Sequence, residues 1–391
     1  MSDRKGSINL NTPIYLDNAA TTAVCPEAAA AFLAAAQQFG NPSSLHQFGF
    51  AAERLVTEAR STIAAGLGAE PGELLFTPSG TFADNLAISG VAHRYGRRAG
   101  KGCRGHIITS AIEHDAVRNT VAALEKEGFE ATFLSPDASG HIAAEEVAAA
   151  VRSDTILVSL MLVNNELGTL QPVAEAVRLV KRIRPEILFH TDAVQAYRKI
   201  RVNVRSLGID LLSVSGHKIH AYKGIGALYL RKGVRIAPLI YGGGQERGLV
   251  PGTEPVPLIA ALAAAAARPL EVDKLESLRS RVLSAVAEAC PQAEVLSAGE
   301  AGGICMLTLR GLRGETVMHA LAERGIYVST GSACGRGRPS HVLSAMPIDA
   351  DAAAGALRIS VSSETQPEEI DRFAQALAEV ADALTPRSRR S

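Results

Sequence analysis

The sequence carries no excess charge of either sign: 40 Lys and Arg residues balance 40 Asp and Glu residues. A surface built to coat nucleic acid is strongly basic, so that class of protein is not expected, and no direct nucleic-acid binding is assigned. No apolar run approaches membrane-spanning length. The first thirteen residues, MSDRKGSINLNTP, lack the apolar segment of a secretory signal. A cytoplasmic location away from membranes is therefore expected. Cysteines are few and badly spaced for pairing: Cys25, Cys103, Cys290, Cys305 and Cys334 form an odd set with wide gaps. There is no CxxC and no Cys/His spacing of a zinc site, so neither a disulfide framework nor a metal centre is expected. No internal repeat is visible.

What remains is a generous core: 47% of residues are hydrophobic and 20% charged. The length allows two domains, or one large α/β domain with an appendage. Between about residues 73 and 230, short apolar runs read as strands: ELLFT (73–77), HIITS (106–110), TILVSLMLV (155–163), ILFHTD (187–192), DLLSVS (210–215) and GALYL (226–230). Amphipathic stretches such as AEAVRLVKRI (174–183) separate several of them, which predicts a mostly parallel sheet covered on both faces. Upstream, Phe48, Ala52, Leu55, Val56, Ala59 and Ile63 keep the spacing of one long helix. After residue 256 the texture shifts to LIAALAAAAA (258–267), MLTL (306–309), a helix near 315–324, IYVS (326–329) and ALRISV (356–361). That pattern predicts a smaller α+β domain. The division expected is 15–257 for the large domain, with 1–14 and 258–391 forming the small one. The polar, basic TPRSRRS tail (385–391) reads as disordered.

Four of the cysteines read as small buried hydrophobes. Cys334 does not, because it lies in STGSACGRGRPSHVL (329–343), among small residues and a Gly-Arg-Gly-Arg run. Elsewhere, SVSGHKIHAYKGIGALYL (213–230) sets Lys218 at the end of an apolar strand. Desolvation there would lower its pKa and yield the neutral amine that condenses with an aldehyde. A lysine that merely emerges at a strand end is the other reading of that motif. HTDAVQA (190–196) sets Asp192 at the end of another strand, with Gln195 in the following turn. Pyridoxal phosphate needs both groups, a lysine for its aldehyde and an acid that keeps its ring nitrogen protonated. Both at the carboxyl ends of one parallel sheet can face a single crevice. Asp192 alone would serve equally as a helix N-cap. Ser79-Gly80-Thr81 precedes a helical pattern whose backbone N–H groups suit a phosphate, with Ser215 and His217 as further donors. His114, just past a third strand, is placed to stack on the ring, or is a satisfied loop histidine.

Together these segments resemble the NifS-like cysteine desulfurases, pyridoxal-phosphate enzymes of fold type I. The likeness runs through YLDNAATT (15–22), GNPSSLH (40–46), EHDAV (113–117), NNELGTLQP (164–172), GGGQERG (242–248), GTEP (252–255), TGSAC (330–334), PSHVL (339–343) and LRIS (357–360), besides the stretches above. The resemblance implies a homodimer that binds pyridoxal 5′-phosphate through Lys218. Asp192 would pair with the ring nitrogen, His114 would stack on the ring, and Gln195 and Asn165 would bond the ring hydroxyl side or the substrate. Gly80, Thr81, Ser215 and His217 would hold the phosphate, which Thr253 would reach from the second subunit. Arg358 would clamp the carboxylate of L-cysteine. Lys218 would move the α-proton, and Cys334 would take the sulfur as a persulfide for an acceptor protein, leaving alanine. Arg336 and Arg338 would favour the thiolate.

The sequence departs from the family pattern at Phe82, where glutamate is expected, at Ala221-Tyr222 for Gly-Pro, and at Val250-Pro251 for Arg-Ser. Only four residues separate Cys334 from Pro339, a shorter loop than housekeeping members carry. The expectation is a Cys334 that rests away from the cofactor. The short loop is similar to that of the desulfurase serving DNA phosphorothioation. Two alternatives stand beside this reading: another fold-type-I lyase, such as a selenocysteine lyase in which Cys334 is incidental, and a degenerate scaffold that binds a partner.

Overall fold

A computed structural model describes residues 13–97, 104–331 and 340–385. Strand β1 (Ile14–Tyr15) comes first, followed by the seven strands of the main sheet. These are β2 (Leu74–Thr77), β3 (His106–Ser110), β4 (Glu130–Leu134), β5 (Thr155–Ser159), β6 (Leu188–Asp192), β7 (Leu211–Ser215) and β8 (Gly226–Leu230). Their spatial order is β2-β8-β7-β6-β5-β3-β4. The pairs from β4 through β3, β5 and β6 to β7 are all parallel, and β8 alone runs antiparallel to both of its neighbours. The predicted α/β class holds, and five of the six predicted strands match to within two residues at each end.

The sixth, predicted over 155–163, is regular only to Ser159. Beyond it the chain still follows β6, since Leu160 N–H donates to His190 and Leu162 N–H to Asp192. This carries Met161 and Val163 past the strand end. β4 went unpredicted because, as the edge strand, it is nowhere fully buried and lacks a continuous apolar run.

Helices cover both faces of the sheet. The long helix Gln47–Leu67 starts at His46, whose Nδ1 accepts from Gly49 N–H, and stops at Gly68, which adopts φ +69°. Ala52, Val56, Ala59 and Ile63 face the core as expected. Phe48 does not: it is exposed, with its ring centroid 5.0 Å from that of Phe39. The helix Val173–Ile183 buries Val173, Ala176, Val177 and Val180 and turns its charges outward, each buried valine contributing about 1.5–3 kcal/mol.

Three further strands and one short pair follow. β9 (Glu294–Ser297), β10 (Ile304–Thr308) and β12 (Ala356–Ser360) form an antiparallel sheet in the order β12-β10-β9, while β11 (Ile326–Tyr327) pairs in parallel with β1. Their apolar side chains join those of the helices Val272–Ala289 and Pro367–Leu384 in a separate core that also takes in Ile14 and Leu16. The helix Val256–Ala267 belongs elsewhere. It packs on the helices Pro26–Ala36 and Gln47–Leu67, and Ile259 and Leu262 sit in the core of the large sheet. By packing, we propose that the division expected at 257 falls after Ala267, because a helix belongs to the domain in which it buries its apolar face.

Candidate active site

Five strand ends open into one cavity of about 270 Å³, at the carboxyl edge of the parallel strands. It is lined by Gly80, Thr81, His114, Asn165, Asp192, Gln195, Ser215, His217, Lys218 and Arg358, ten residues singled out from sequence. Thr253 is not among them. It lies exposed beside a different hollow, with Val250 and Pro251. Cys334, with Arg336 and Arg338, lies outside the described residues, as does the expectation about its resting place.

The phosphate end is built by a helix start. Ser79 caps the helix Gly80–Tyr95, its Oγ accepting from Phe82 N–H at 3.1 Å. Gly80 is required by space: a Cβ there would meet Val194 Cγ2 at 2.8 Å and Ser215 Cβ at 3.1 Å. With no side chain in the way, the helix N-terminus lies against the end of β7, where backbone N–H groups and the Ser215 hydroxyl converge on one small volume. An anion is the ligand such a cradle suits. His217 Nδ1 lies 3.2 Å from Thr21 Oγ1, and burial, helped by Lys218, pushes its pKa down to about 4, so it is neutral at pH 7.

The opposite wall is acidic. Asp192 is buried, its Oδ1 accepts from Val194 N–H at 2.8 Å, and burial raises its pKa against the pull of His114 and Lys218. No helix starts at Asp192, so it is not an N-cap; its Oδ1 closes an Asx turn instead, and the carboxyl lines the cavity, where a cation would stabilise it. A protonated ring nitrogen meets that need. His114 caps the helix Asp115–Lys126, with Nδ1 accepting from Ala116 N–H at 3.1 Å. In the neutral ring the proton then sits on Nε2. The cap and the cavity wall are the same side chain, so the satisfied loop histidine also faces the cavity.

Lys218 Nζ, half-buried, donates to the Ala19 and Ala20 carbonyls at 2.6 and 2.8 Å. Gln195 Nε2 donates to the same Ala19 carbonyl at 2.8 Å. Arg358 is almost wholly buried; its Nη2 donates to Asp17 at 2.7 Å, its Nη1 to the Asn165 carbonyl at 2.9 Å, and its Nε has no partner. Asn165 Oδ1 is likewise buried and unpartnered. Held in place with hydrogen-bonding capacity to spare, this pair suits a substrate bearing a carboxylate and an amine.

Sequence reasoning missed four groups in and behind this wall. Asp84, on the sheet-facing side of the Gly80–Tyr95 helix, is buried with Oδ1 unpartnered, and its pKa is raised by burial and by Asp192. His190 Nε2 approaches it to 3.6 Å, but burial pushes His190 down to about 3, so the contact is no ion pair. Glu113 accepts from Ser110 Oγ and Met161 N–H and is pushed up to about 8 by burial. His341 joins the cavity wall through Nε2, which donates to the Glu113 carbonyl at 2.9 Å. Acids inside EHDAV and ADNLAI were visible, but their burial depends on strand order, which no local pattern encodes.

The departures from the family pattern sit outside the cavity. Phe82 and Val250 both pack, half-buried, against the same apolar cluster under the sheet, and Tyr222 stacks on Phe32 with centroids 4.7 Å apart. Cys25, Cys290 and Cys305 are buried free thiols, and burial pushes Cys305 up to about 12. They are inert packing groups, as expected; Cys103, the fourth, lies outside the described residues. Among the described residues no helix is long and apolar enough to cross a membrane.

A parallel sheet whose edge gathers a lysine, a buried acid, an imidazole and a helix N-terminus suited to an anion defines an α/β enzyme of pyridoxal phosphate, fold type I. The Aminotransferase class-V family model matches residues 14–373. A cysteine desulfurase IscS of Methanosarcina thermophila is 41% identical over 384 residues, covering 96% of this chain and 93% of the relative. Among solved structures, SspA in complex with cysteine is 36% identical with a TM-score of 0.79, covering 90% of this chain and 99% of that one. DndA from Streptomyces lividans is 39% identical with a TM-score of 0.72, covering 87% and 97%. The chain belongs to the pyridoxal-phosphate-dependent cysteine desulfurases of that family.

Proposed function

We propose that the chain converts L-cysteine to L-alanine and hands the sulfur, as a Cys334 persulfide, to an acceptor protein. The convergence of Lys218, Asp192, His114 and Arg358 on one cavity carries this reading. Bound pyridoxal phosphate supplies an electrophilic carbon and an electron sink, which acidify the substrate's α-carbon and weaken its Cβ–S bond. Lys218 would hold the cofactor, and its amine, positioned by the Ala19 and Ala20 carbonyls, would move the α-proton. Asp192 would hold the ring nitrogen protonated, His114 would stack on the ring, and Gln195 would face the ring hydroxyl. Gly80, Thr81, Ser215 and His217 would take the phosphate, while Arg358 and Asn165 would orient the substrate carboxylate.

The Cys334 thiolate then attacks the substrate sulfur. The Cβ–S bond breaks, a sulfur–sulfur bond forms, and the carbon fragment leaves as alanine after protonation at Cβ. Carbon is reduced and sulfur oxidised within the same step, so no external oxidant enters. SspA, solved in complex with cysteine, supports the substrate.

Two finer readings follow. Leu45, Phe39 and Tyr241 are 91%, 79% and 88% exposed, an apolar surface that a second subunit would cover. Exposed Thr253 could then complete the partner's phosphate site. The four-residue spacing from Cys334 to Pro339, supported by the likeness to DndA, favours DNA phosphorothioation as the pathway, with the enzyme working in the cytoplasm. Supplying L-cysteine to wild type and to Cys334→Ala, then measuring alanine and thiol-labelled persulfide, tests the reading. Persulfide on the variant would refute the role of Cys334, and alanine release unchanged by the substitution would favour a simple lyase.

A further inference from the structure

Lys199 lies only 8% exposed. Among the described residues no carboxylate forms an ion pair with it. A buried ammonium without a counter-ion is costly, and the groups bearing on its charge are the cations Lys218 and Arg358. Burial, then those two cations, lowers its pKa to about 7. Its Nζ lies 2.7 Å from Oε1 of Gln195, a residue that lines the cavity.

We propose that Lys199 is a positioning residue that fixes the orientation of the Gln195 side-chain amide, holding its acceptor away from the cavity and committing its NH2 to the cavity side. The two ends of an amide look alike, so their assignment rests on the partners. Here the partners decide it. The Ala19 carbonyl, 2.8 Å from Nε2, can only accept, and the Lys199 side chain offers N–H groups to Oε1. The flipped amide would set carbonyl against carbonyl and NH2 against a nitrogen donor. One amide N–H goes to Ala19, and the second is left for the cavity that Gln195 lines. The same Ala19 carbonyl accepts from Lys218 Nζ at 2.6 Å, so the chain Lys199–Gln195–Ala19 ends on the cofactor lysine itself.

The inference rests on Gln195 facing the ring hydroxyl of the bound cofactor. A donor aimed at that oxygen stabilises its anionic form and lowers the pH at which the cofactor–lysine unit titrates. Purified holoenzyme is titrated from pH 6 to 10 by absorption spectroscopy for wild type, Lys199→Met, Lys199→Arg, Gln195→Ala and the Lys199→Met/Gln195→Ala double variant. The expected result is a midpoint raised by at least about half a pH unit in Lys199→Met. Gln195→Ala should match it, the double variant should add nothing, and Lys199→Arg, which keeps N–H donors, should restore most of the wild-type value. A midpoint unmoved in Lys199→Met, or shifts that add in the double variant, would overturn the proposal. If Lys199→Met fails to fold, the comparison of Lys199→Arg with Lys199→Gln serves instead, with only the former expected near wild type. Loss of the cofactor band in wild type would sink the underlying reading rather than this one. A wild-type titration that Gln195→Ala leaves untouched would overturn the inference, because Lys199 would then have no route to the ring.

Discussion

The two sheets of this molecule are built on opposite terms. Around the carboxyl edge of the seven-stranded sheet, Asp84, Glu113, Asp192, Lys199 and Glu166 are all buried ionisable residues. In the core of β9, β10 and β12 the described buried side chains are apolar or small and polar, with one exception, Arg358 on β12. One region gives up packing for chemistry; the other supplies stability and lends a single cation to the first. The difference teaches where substitutions should register as lost turnover and where as lost stability.

Replacing Lys218 with Ala should sharpen that contrast most. Turnover is expected to fall by at least about 10³-fold, with the melting temperature of the cofactor-free protein little changed. A variant that keeps a tenth of wild-type activity would mean another amine does the work. In the apolar region, Phe373, fully buried, is the counterpart. Phe373→Ala should cost about 3–5 kcal/mol in chemical denaturation while leaving the cofactor's absorption where it was. Arg358 straddles the two regions. Arg358→Lys loses the fork that grips a carboxylate and should raise KM for cysteine about 10–100-fold, with a smaller change in kcat. A pure kcat effect would argue that it does not touch the substrate.

The remaining effect is a pH dependence. Glu113 titrates near 8 in the folded protein and near 4.3 when unfolded. Between those values the native state holds a proton that the unfolded chain has released, so rising pH removes stability across the window and no further above it. Glu113→Gln keeps an acceptor for Ser110 and Met161 but cannot ionise. It should be slightly less stable than wild type at pH 5 and gain on it by about 3–4 kcal/mol by pH 8. Parallel stability curves for the two proteins would show that Glu113 is ionised in the fold.

Much of this was legible in the sequence because strand ends and glycine-rich turns are local signals. HIITS and GALYL became β3 and β8 without adjustment, and ten of the fourteen residues assigned roles line one cavity. The remainder depends on what crosses in space. Nothing local in YRKIRV marks Lys199 as buried; its burial comes from packing in the fold, where its Nζ meets Gln195. IYVS marked β11, but its partner β1 is only two residues long, too short for any periodicity, yet it anchors the segment that delivers the Ala19 and Ala20 carbonyls. The helix Val256–Ala267 is apolar nearly all round, so its sequence did not indicate which core it would join.

Borohydride treatment of the yellow holoenzyme, followed by peptide mapping, tests the central claim most directly, because reduction leaves the cofactor on the amine that carried it. We expect the adduct on the peptide containing Lys218 and on no other. An adduct on Lys199 or Lys223, or a colourless protein that yields none, would contradict the account.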